Sequence, residues 1–320
     1  MTPDDAVTPV LYLGGEGRSG STVLAAMLGN CSGFFPVGEA RGVWQAVRND
    51  ELCGCGSPFS SCSFWVGVGD VAFGGWEEVD HEEMLRADWA LARQRRLPQL
   101  MLSATGGGMN QAVARHRAVL GRLYAAIQQV SSCSVIVDST KDPAYGYLLA
   151  GVSGIDLSLV HLVRDSRGVA SSWSKSDVAR PEYANNQLLR HTFMNRRSHW
   201  RAAVEWDVKN LLVKLIRPTR RSIRVRYESL IASPDRELDR ILNLVNLDSG
   251  RVSRELEWLP FHTLGGNRVR FERGPIRLRS DDDWRRAMPT VGRVTVEALT
   301  LPFLLQYGYI RDRERARCAR

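Results

Sequence analysis

Short apolar runs recur along the chain, each stopped by glycine or a charged residue and followed by a stretch with helical spacing. Val10–Leu13, Phe34–Val37, Ser134–Asp138, Leu157–Val163 and Ile223–Tyr227 read as strands. Between them, helical patterns cover Val23–Leu28, Arg41–Val47, about Glu82–Arg96, Gln111–Gln129, a long region from about Tyr183 to Ile216, and the amphipathic Pro234–Leu244. This alternation predicts an α/β fold with a central, mainly parallel sheet flanked by helices. Residues 1–310 are expected to form one domain. Residues 53–76, rich in cysteine, aromatics and turn formers, read as an irregular insertion or lid, and the charged tail 311–320 as disordered.

Composition narrows the function class. With 320 residues and 44% apolar content, the chain can bury a sizeable core. No apolar run reaches membrane-spanning length, and the acidic start MTPDDAVTPV has no targeting character, so no membrane partner and a cytoplasmic location are expected. The net charge is +8. No dense Lys/Arg block with interleaved aromatics occurs, so an anionic small ligand is favoured over nucleic acid. Among 43 basic residues the lysines are Lys141, Lys175, Lys209 and Lys214, the rest being arginine. A lysine at a chemically meaningful position therefore carries weight.

The most informative stretch is Val10–Gly29, VLYLGGEGRSGSTVLAAMLG. A strand, a glycine-rich turn and a helix in that order aim the unpaired N–H groups of the helix N-terminus at the turn, which favours an oxyanion there. The turn approaches the Walker pattern, with Gly15, Gly20 and Thr22 in place, but Ser21 stands where an NTPase has its phosphate-binding lysine. Its basic residue is Arg18 instead.

Other strand ends carry further candidates, since ligands of parallel sheets lie beyond the carboxyl ends of the strands. Glu39 follows the second strand and is either a working carboxylate or an acid at a helix N-terminus. Lys141 lies three residues past the predicted end of the third strand. Asp138 resembles a Walker B acid, which keeps open a kinase using ATP and Mg²⁺. Arg164 closes the fourth strand and leads into a helix bearing Ser172, a second anion-site candidate whose plain alternative is an Arg164–Asp165 surface pair.

With Arg18-Ser19-Gly20-Ser21-Thr22 after its first strand, the chain resembles the sulfotransferases that use 3′-phosphoadenosine 5′-phosphosulfate (PAPS). The Arg164…Ser172 pair has that family's spacing for holding the 3′-phosphate. Tyr227-Glu228 is similar to its Tyr-Glu pair, and the Gly266-Asn267…Arg270 loop, followed by Trp284, to its C-terminal loop over that phosphate. The resemblance implies a P-loop-like fold, Gly17 to Thr22 on the 5′-phosphosulfate, Tyr227 beside the adenine, and adenosine 3′,5′-bisphosphate as product. Within the family, the tyrosylprotein sulfotransferase branch matches best in the separation of Glu39 from Arg18 and in Lys141-Asp142-Pro143. That match implies Glu39 as general base and Lys141, with Arg18, as stabiliser of the leaving group. The cysteine-rich insertion and lack of an anchor depart from that branch and look more like soluble bacterial sulfotransferases. The acceptor is therefore expected to be a small molecule presenting a hydroxyl, less readily an amine, with aromatic or apolar parts suggested by the aromatics of 53–76 and of Tyr183–Trp206. The chemistry needs no metal, and no carboxylate cluster for one is evident. A non-catalytic nucleotide-binding relative is the remaining alternative.

Cys53, Cys55 and Cys62 lie within ten residues. Plain reduced thiols, a disulfide from Cys62 to Cys53 or Cys55, and a zinc site all fit this spacing. A closed zinc site needs a fourth ligand that the sequence does not name.

Overall fold

The structure is a computed structural model that describes residues 7–105, 111–175, 195–216, 221–247 and 255–310. In chain order its first half contains β1 (Thr8–Gly14), α1 (Ser21–Gly29), β2 (Phe34–Gly38), α2 (Val43–Asn49), α3 (Ser63–Phe73), α4 (His81–Leu91), α5 (Leu97–Thr105) and α6 (Gln111–Ser131). The second half adds β3 (Val135–Lys141), α7 (Pro143–Ala150), β4 (Ile155–Val163), α8 (Ser166–Ser174), α9 (His199–Val213), β5 (Arg221–Arg226), α10 (Tyr227–Ala232) and α11 (Pro234–Leu244). A two-residue ribbon of β6 (Glu257–Trp258) and β7 (Gly274–Pro275), then α12 (Trp284–Ala287) and α13 (Thr290–Gln306), complete it.

The five long strands form one parallel sheet in the order β2-β3-β1-β4-β5. Alternate residues of each strand point to opposite faces and feed two cores. Val10, Tyr12, Ile136, Leu157 and Leu159 pack on one face, with α2, α3, α6 and α7. Leu11, Leu13, Val135, Val137, Val160 and Leu162 pack on the other, with α1 and α11. Burial on both faces explains why these strands read as continuous apolar runs. Pro36, which cannot donate to a ladder, is accommodated because β2 is an edge strand. Among the described residues no helix is long and apolar enough to cross a membrane.

Several expectations shift. The stretch 53–76 is irregular only in part: it is turns up to Cys62, but from Ser63 it contains α3, whose Phe64, Trp65, Val68 and Ala72 are buried in the main core rather than forming a lid. Its glycines hid the helix, and one of them is required, because a Cβ on Gly69 would lie 2.5 Å from the Trp76 ring. The helix expected to reach Arg96 ends at Leu91, and α5 begins afresh at Leu97. Pro98 suits a first helical turn and would break an interior one. β3 continues past Asp138 to Lys141 through an irregularity opposite β1, and Tyr227 opens α10 rather than ending β5. Of the region Tyr183–Ile216, the described helix is α9; residues 183–194, the Gly106–Gly108 run and the 311–320 tail lie outside the described residues.

Two features generate tests. Gly15 has φ 146° and its Cβ position lies 2.3 Å from the Leu162 carbonyl oxygen of β4. Gly15→Ala is expected to lower stability by about 2 kcal/mol or more in urea titration, since both backbone conformation and neighbouring strand oppose the methyl. On β4, His161 Nε2 lies 2.8 Å from Asn210 Oδ1, and burial pulls the imidazole down to about 4. Because the unfolded chain binds this proton near the ordinary histidine value, stability is expected to fall as pH drops from about 6.5 towards 4, by about 2 kcal/mol at pH 5. His161→Gln should flatten that slope between paired urea titrations at about pH 7 and pH 5.

Candidate functional site

Parallel strands share one carboxyl edge, and the connections leaving β1 and β3 carry α1 and α7 to opposite faces of the sheet. A crevice opens at such a point. It is a cleft of ≈ 590 Å³ lined by residues from the ends of all five strands: Arg18 after β1, Glu39 after β2, Lys141 ending β3, Arg164 after β4 and Tyr227 after β5.

The loop from β1 to α1 turns through two left-handed residues, Arg18 (φ 66°) and Gly20 (φ 89°). Gly20 is required: a Cβ there would sit 2.5 Å from the Tyr227 ring. As the N-cap of α1, Gly20 has no side chain to cap the helix, so the first-turn N–H groups keep no intrahelical or side-chain acceptor. Gly17, Arg18, Gly20, Ser21 and Thr22 line the cleft at this point. Ser19 is 1% exposed and lies behind the wall, its hydroxyl without a partner among the described residues. The arrangement is an anion cradle formed by a helix N-terminus.

On one side of the cradle Lys141 Nζ donates to Glu39 Oε1 at 2.6 Å and to the Ser139 carbonyl at 2.6 Å. Lys141 itself has φ 70°, a conformation that non-glycine residues adopt at a cost of order 1–3 kcal/mol and that clusters at functional sites. Its position is held from behind. Asp142 caps α7 by accepting from Ala144 N at 2.9 Å, takes an ion pair from Arg41 at 2.9 Å, and offers its carbonyl to the Tyr12 hydroxyl at 2.7 Å. Glu39 is held through its backbone, whose N–H donates to the Leu264 carbonyl at 2.7 Å. Gly265 and Gly266, both with positive φ, pass directly over its side chain, and Gly266 and Asn267 join the cleft wall.

On the other side Arg164 lies 4.7 Å above the Tyr227 ring and donates to the Arg18 carbonyl at 2.9 Å and to Asp281 Oδ2 at 2.7 Å. It is therefore not paired with Asp165, whose carboxylate holds Arg167. Ser172, on α8, also faces the cleft. Glu228 turns the other way: burial raises its carboxyl above the ordinary range, and it accepts from Asp165 N at 3.0 Å and the Tyr309 hydroxyl at 2.8 Å. Arg270 does not reach the cleft. Its guanidinium donates to the Thr263 and Leu52 carbonyls at 3.0 and 3.1 Å, which makes it a brace for the loop carrying Gly266 and Asn267.

Three cleft residues, Trp173, Arg197 and Lys209, together with Glu16 behind them, were not singled out in the sequence. Glu16, Trp173, Arg197 and Lys209 form one assembly: the Glu16 carboxylate is fully buried and takes Arg197 at 3.2 Å, Lys209 at 3.1 Å and the Trp173 indole N–H at 3.2 Å. Arg18 and Arg197 both lie over the Trp173 ring, at 5.1 and 3.7 Å. Burial, and then the neighbouring Arg197, pull the Arg18 guanidinium below its ordinary pKa, so an anion placed here would relieve a crowded positive site. The scarcity of lysine was the one available signal, for Lys209.

Two other expectations fail. Asp138 turns away from the cleft into the core, where it accepts from the Tyr124 hydroxyl and from Thr140 N at 2.7 Å; burial raises its carboxyl above the ordinary range. It lacks the placement of a Walker B ligand. Of the aromatics assigned to an acceptor pocket, those of 53–76 and Trp206 are also elsewhere, while Tyr183 and Phe193 lie outside the described residues. Phe59, Phe64, Trp65, Phe73 and Trp76 pack on one another, and Trp206 is buried with its indole on the Arg164 carbonyl. The cleft's apolar wall comes instead from Leu85 and Trp89 of α4.

Among solved structures, a sulfotransferase domain from the curacin biosynthetic pathway superposes with TM-score 0.50 at 15% identity, over 93% of this chain and 98% of that one. The sulfotransferase domain of the Synechococcus PCC 7002 olefin synthase gives TM-score 0.47 at 20% identity, over 95% and 97%. Comparison with curated proteins returned no match. A sequence model described as the sulfotransferase family matches residues 9–249, which spans the anion cradle, Glu39, Lys141, Arg164 and Tyr227. With three quarters of its length matched in this way, the chain belongs to the sulfotransferase family.

Proposed function

We propose that the protein transfers the sulfuryl group of PAPS to a hydroxyl of a small, partly apolar acceptor, with Glu39 as base. The observation that carries this reading is the Glu39–Lys141 pair, 2.6 Å apart, on the rim of the same cleft as Arg18 and the uncapped N-terminus of α1. The cleft's chemistry fits the donor at both ends. A helix N-terminus with Arg18 suits the 5′-phosphosulfate, and Arg164 with Ser172 suits a 3′-phosphate, with the Tyr227 ring between them for the adenine. Leu85 and Trp89 offer apolar surface to the acceptor.

Sulfuryl transfer leaves little covalent work for the protein, so rate comes from in-line positioning and charge stabilisation. Lys141 occupies Glu39 Oε1, which leaves Oε2 to take the acceptor's proton. As the acceptor oxygen bonds to sulfur, the bond from sulfur to the bridging phosphate oxygen breaks. The charge growing on that oxygen is met by Arg18, Lys141 and the N–H groups of Gly20 to Thr22, in the manner of an oxyanion hole.

Incubation with PAPS and a panel of hydroxylated small molecules, read as release of adenosine 3′,5′-bisphosphate, tests the reading; no release with any acceptor, despite tight binding of the bisphosphate, would leave only a nucleotide-binding relative. Glu39→Gln is expected to lower kcat by about 10²–10⁴-fold while the bisphosphate Kd measured by calorimetry stays unchanged. Arg164→Ala should weaken adenosine 3′,5′-bisphosphate by about 10–100-fold and 5′-AMP much less. An equal loss for both nucleotides would place the 3′-phosphate elsewhere.

A further inference from the structure

Beyond the cleft, one cluster of chemically competent side chains has no part in sulfuryl transfer. Cys53, Cys55 and Cys62 meet His262, which lies 200 residues after Cys62 in the chain. We propose that these four residues form a closed structural zinc site, Cys₃His, that fastens the α2–α3 connection to the loop backing Glu39.

The geometry is that of a tetrahedral donor set. One ligand atom from each residue, three Sγ and the His262 Nδ1, lie within 4.8 Å of one another. Cys55 Sγ to Cys62 Sγ is 3.8 Å, Cys62 Sγ to His262 Nδ1 is 3.2 Å, and Cys53 Sγ to His262 Nδ1 is 3.9 Å. A tetrahedron with Zn–S of about 2.3 Å and Zn–N of about 2.0–2.1 Å has edges of about 3.5–3.8 Å. Soft thiolates with one imidazole select zinc over the hard divalent cations. Four protein ligands leave no open position, so this metal would hold structure and take no part in catalysis.

The surroundings keep the donors together. A Cβ at Gly54, between two of the cysteines, would fall 2.2 Å from Thr263 Oγ1 and 2.6 Å from the Phe261 carbonyl, so only glycine lets the two segments approach. Gly54 N donates to the Thr263 carbonyl at 2.9 Å, and the Trp65 indole donates to the His262 carbonyl at 3.1 Å. The His262 ring stacks 5.0 Å from Phe64. Two residues further on, Leu264 donates to the Val37 carbonyl at 2.9 Å and accepts from Glu39 N at 2.7 Å. The metal would thus brace the backbone of the proposed base from outside the cleft. A disulfide would use two of the thiols and leave the third and the imidazole without a common purpose.

The test uses the full chain, purified under reducing conditions with zinc supplied and then gel-filtered. Elemental analysis and native mass spectrometry are expected to find about one zinc per chain, and cobalt-loaded protein should show the visible d–d and thiolate charge-transfer bands of tetrahedral coordination. Cys55→Ser, at the half-buried position, and His262→Ala should each weaken zinc about tenfold or more against a competing chelator. The cobalt spectrum of the unaltered chain decides the matter should a variant not fold. Wild-type protein that holds no zinc, or a non-reducing peptide map with a disulfide among Cys53, Cys55 and Cys62, would overturn the proposal. It stands independently of the donor and acceptor assigned above.

Discussion

Five strands that run the same way bring five carboxyl ends to one edge of the sheet, and everything chemical in this protein follows from that constraint. A mixed sheet would send some of these ends to the far side. Arg18, Glu39, Lys141, Arg164 and Tyr227 are dispersed over more than two hundred positions, yet each lies at or just past the carboxyl end of its own strand. The helices that leave β1 and β3 depart to opposite faces, and the crevice between them is lined by these side chains.

Electrostatics then gives the cleft its character. The N-terminus of α1 is uncapped, Arg18 is half-buried beside Arg197, and Lys209 stands on the same buried Glu16. Like charges in a partly desolvated site repel strongly, and the buried Glu16 carboxylate, with Glu205 2.7 Å from Arg197, offsets part of that repulsion. A polyanion bound here would offset more of it. Two residues at this edge, Arg18 and Lys141, hold left-handed backbone without being glycine, a strain sustained by the hydrogen bonds and packing around them. Charge and strain thus converge on one cleft, within the stretch 9–249 that matches the sulfotransferase family.

The two ends of the cleft are braced differently. On one side Arg164 ties the Arg18 loop to Asp281, and Glu228 ties α10 to the start of α8 and to Tyr309. On the Glu39 side the loop 263–267 is the brace: Leu264 pairs with Gly38, Arg270 pins Thr263 to Leu52, and Gly265 passes over Glu39. The cysteine-rich segment, with its aromatics in the main core, is the support on which that loop rests.

By itself the sequence determined the strands, their parallel arrangement and the anion-binding turn. Buried parallel strands announce themselves as apolar runs, and a glycine turn opening a helix has local steric requirements that a short stretch expresses in full. Glu39, Lys141 and Arg164 were legible for the same reason, since position at a strand end is a local property. Tertiary structure alone decided which polar groups face inward. Asp138 and Arg270 carried the right chemistry in the right segments, but one points into the core and the other braces a loop, because side-chain direction depends on packing partners far away in the chain. Glu16 with Arg197 and Lys209, and His262 with the three cysteines, are contacts across more than a hundred residues, and no periodicity or spacing records such a meeting.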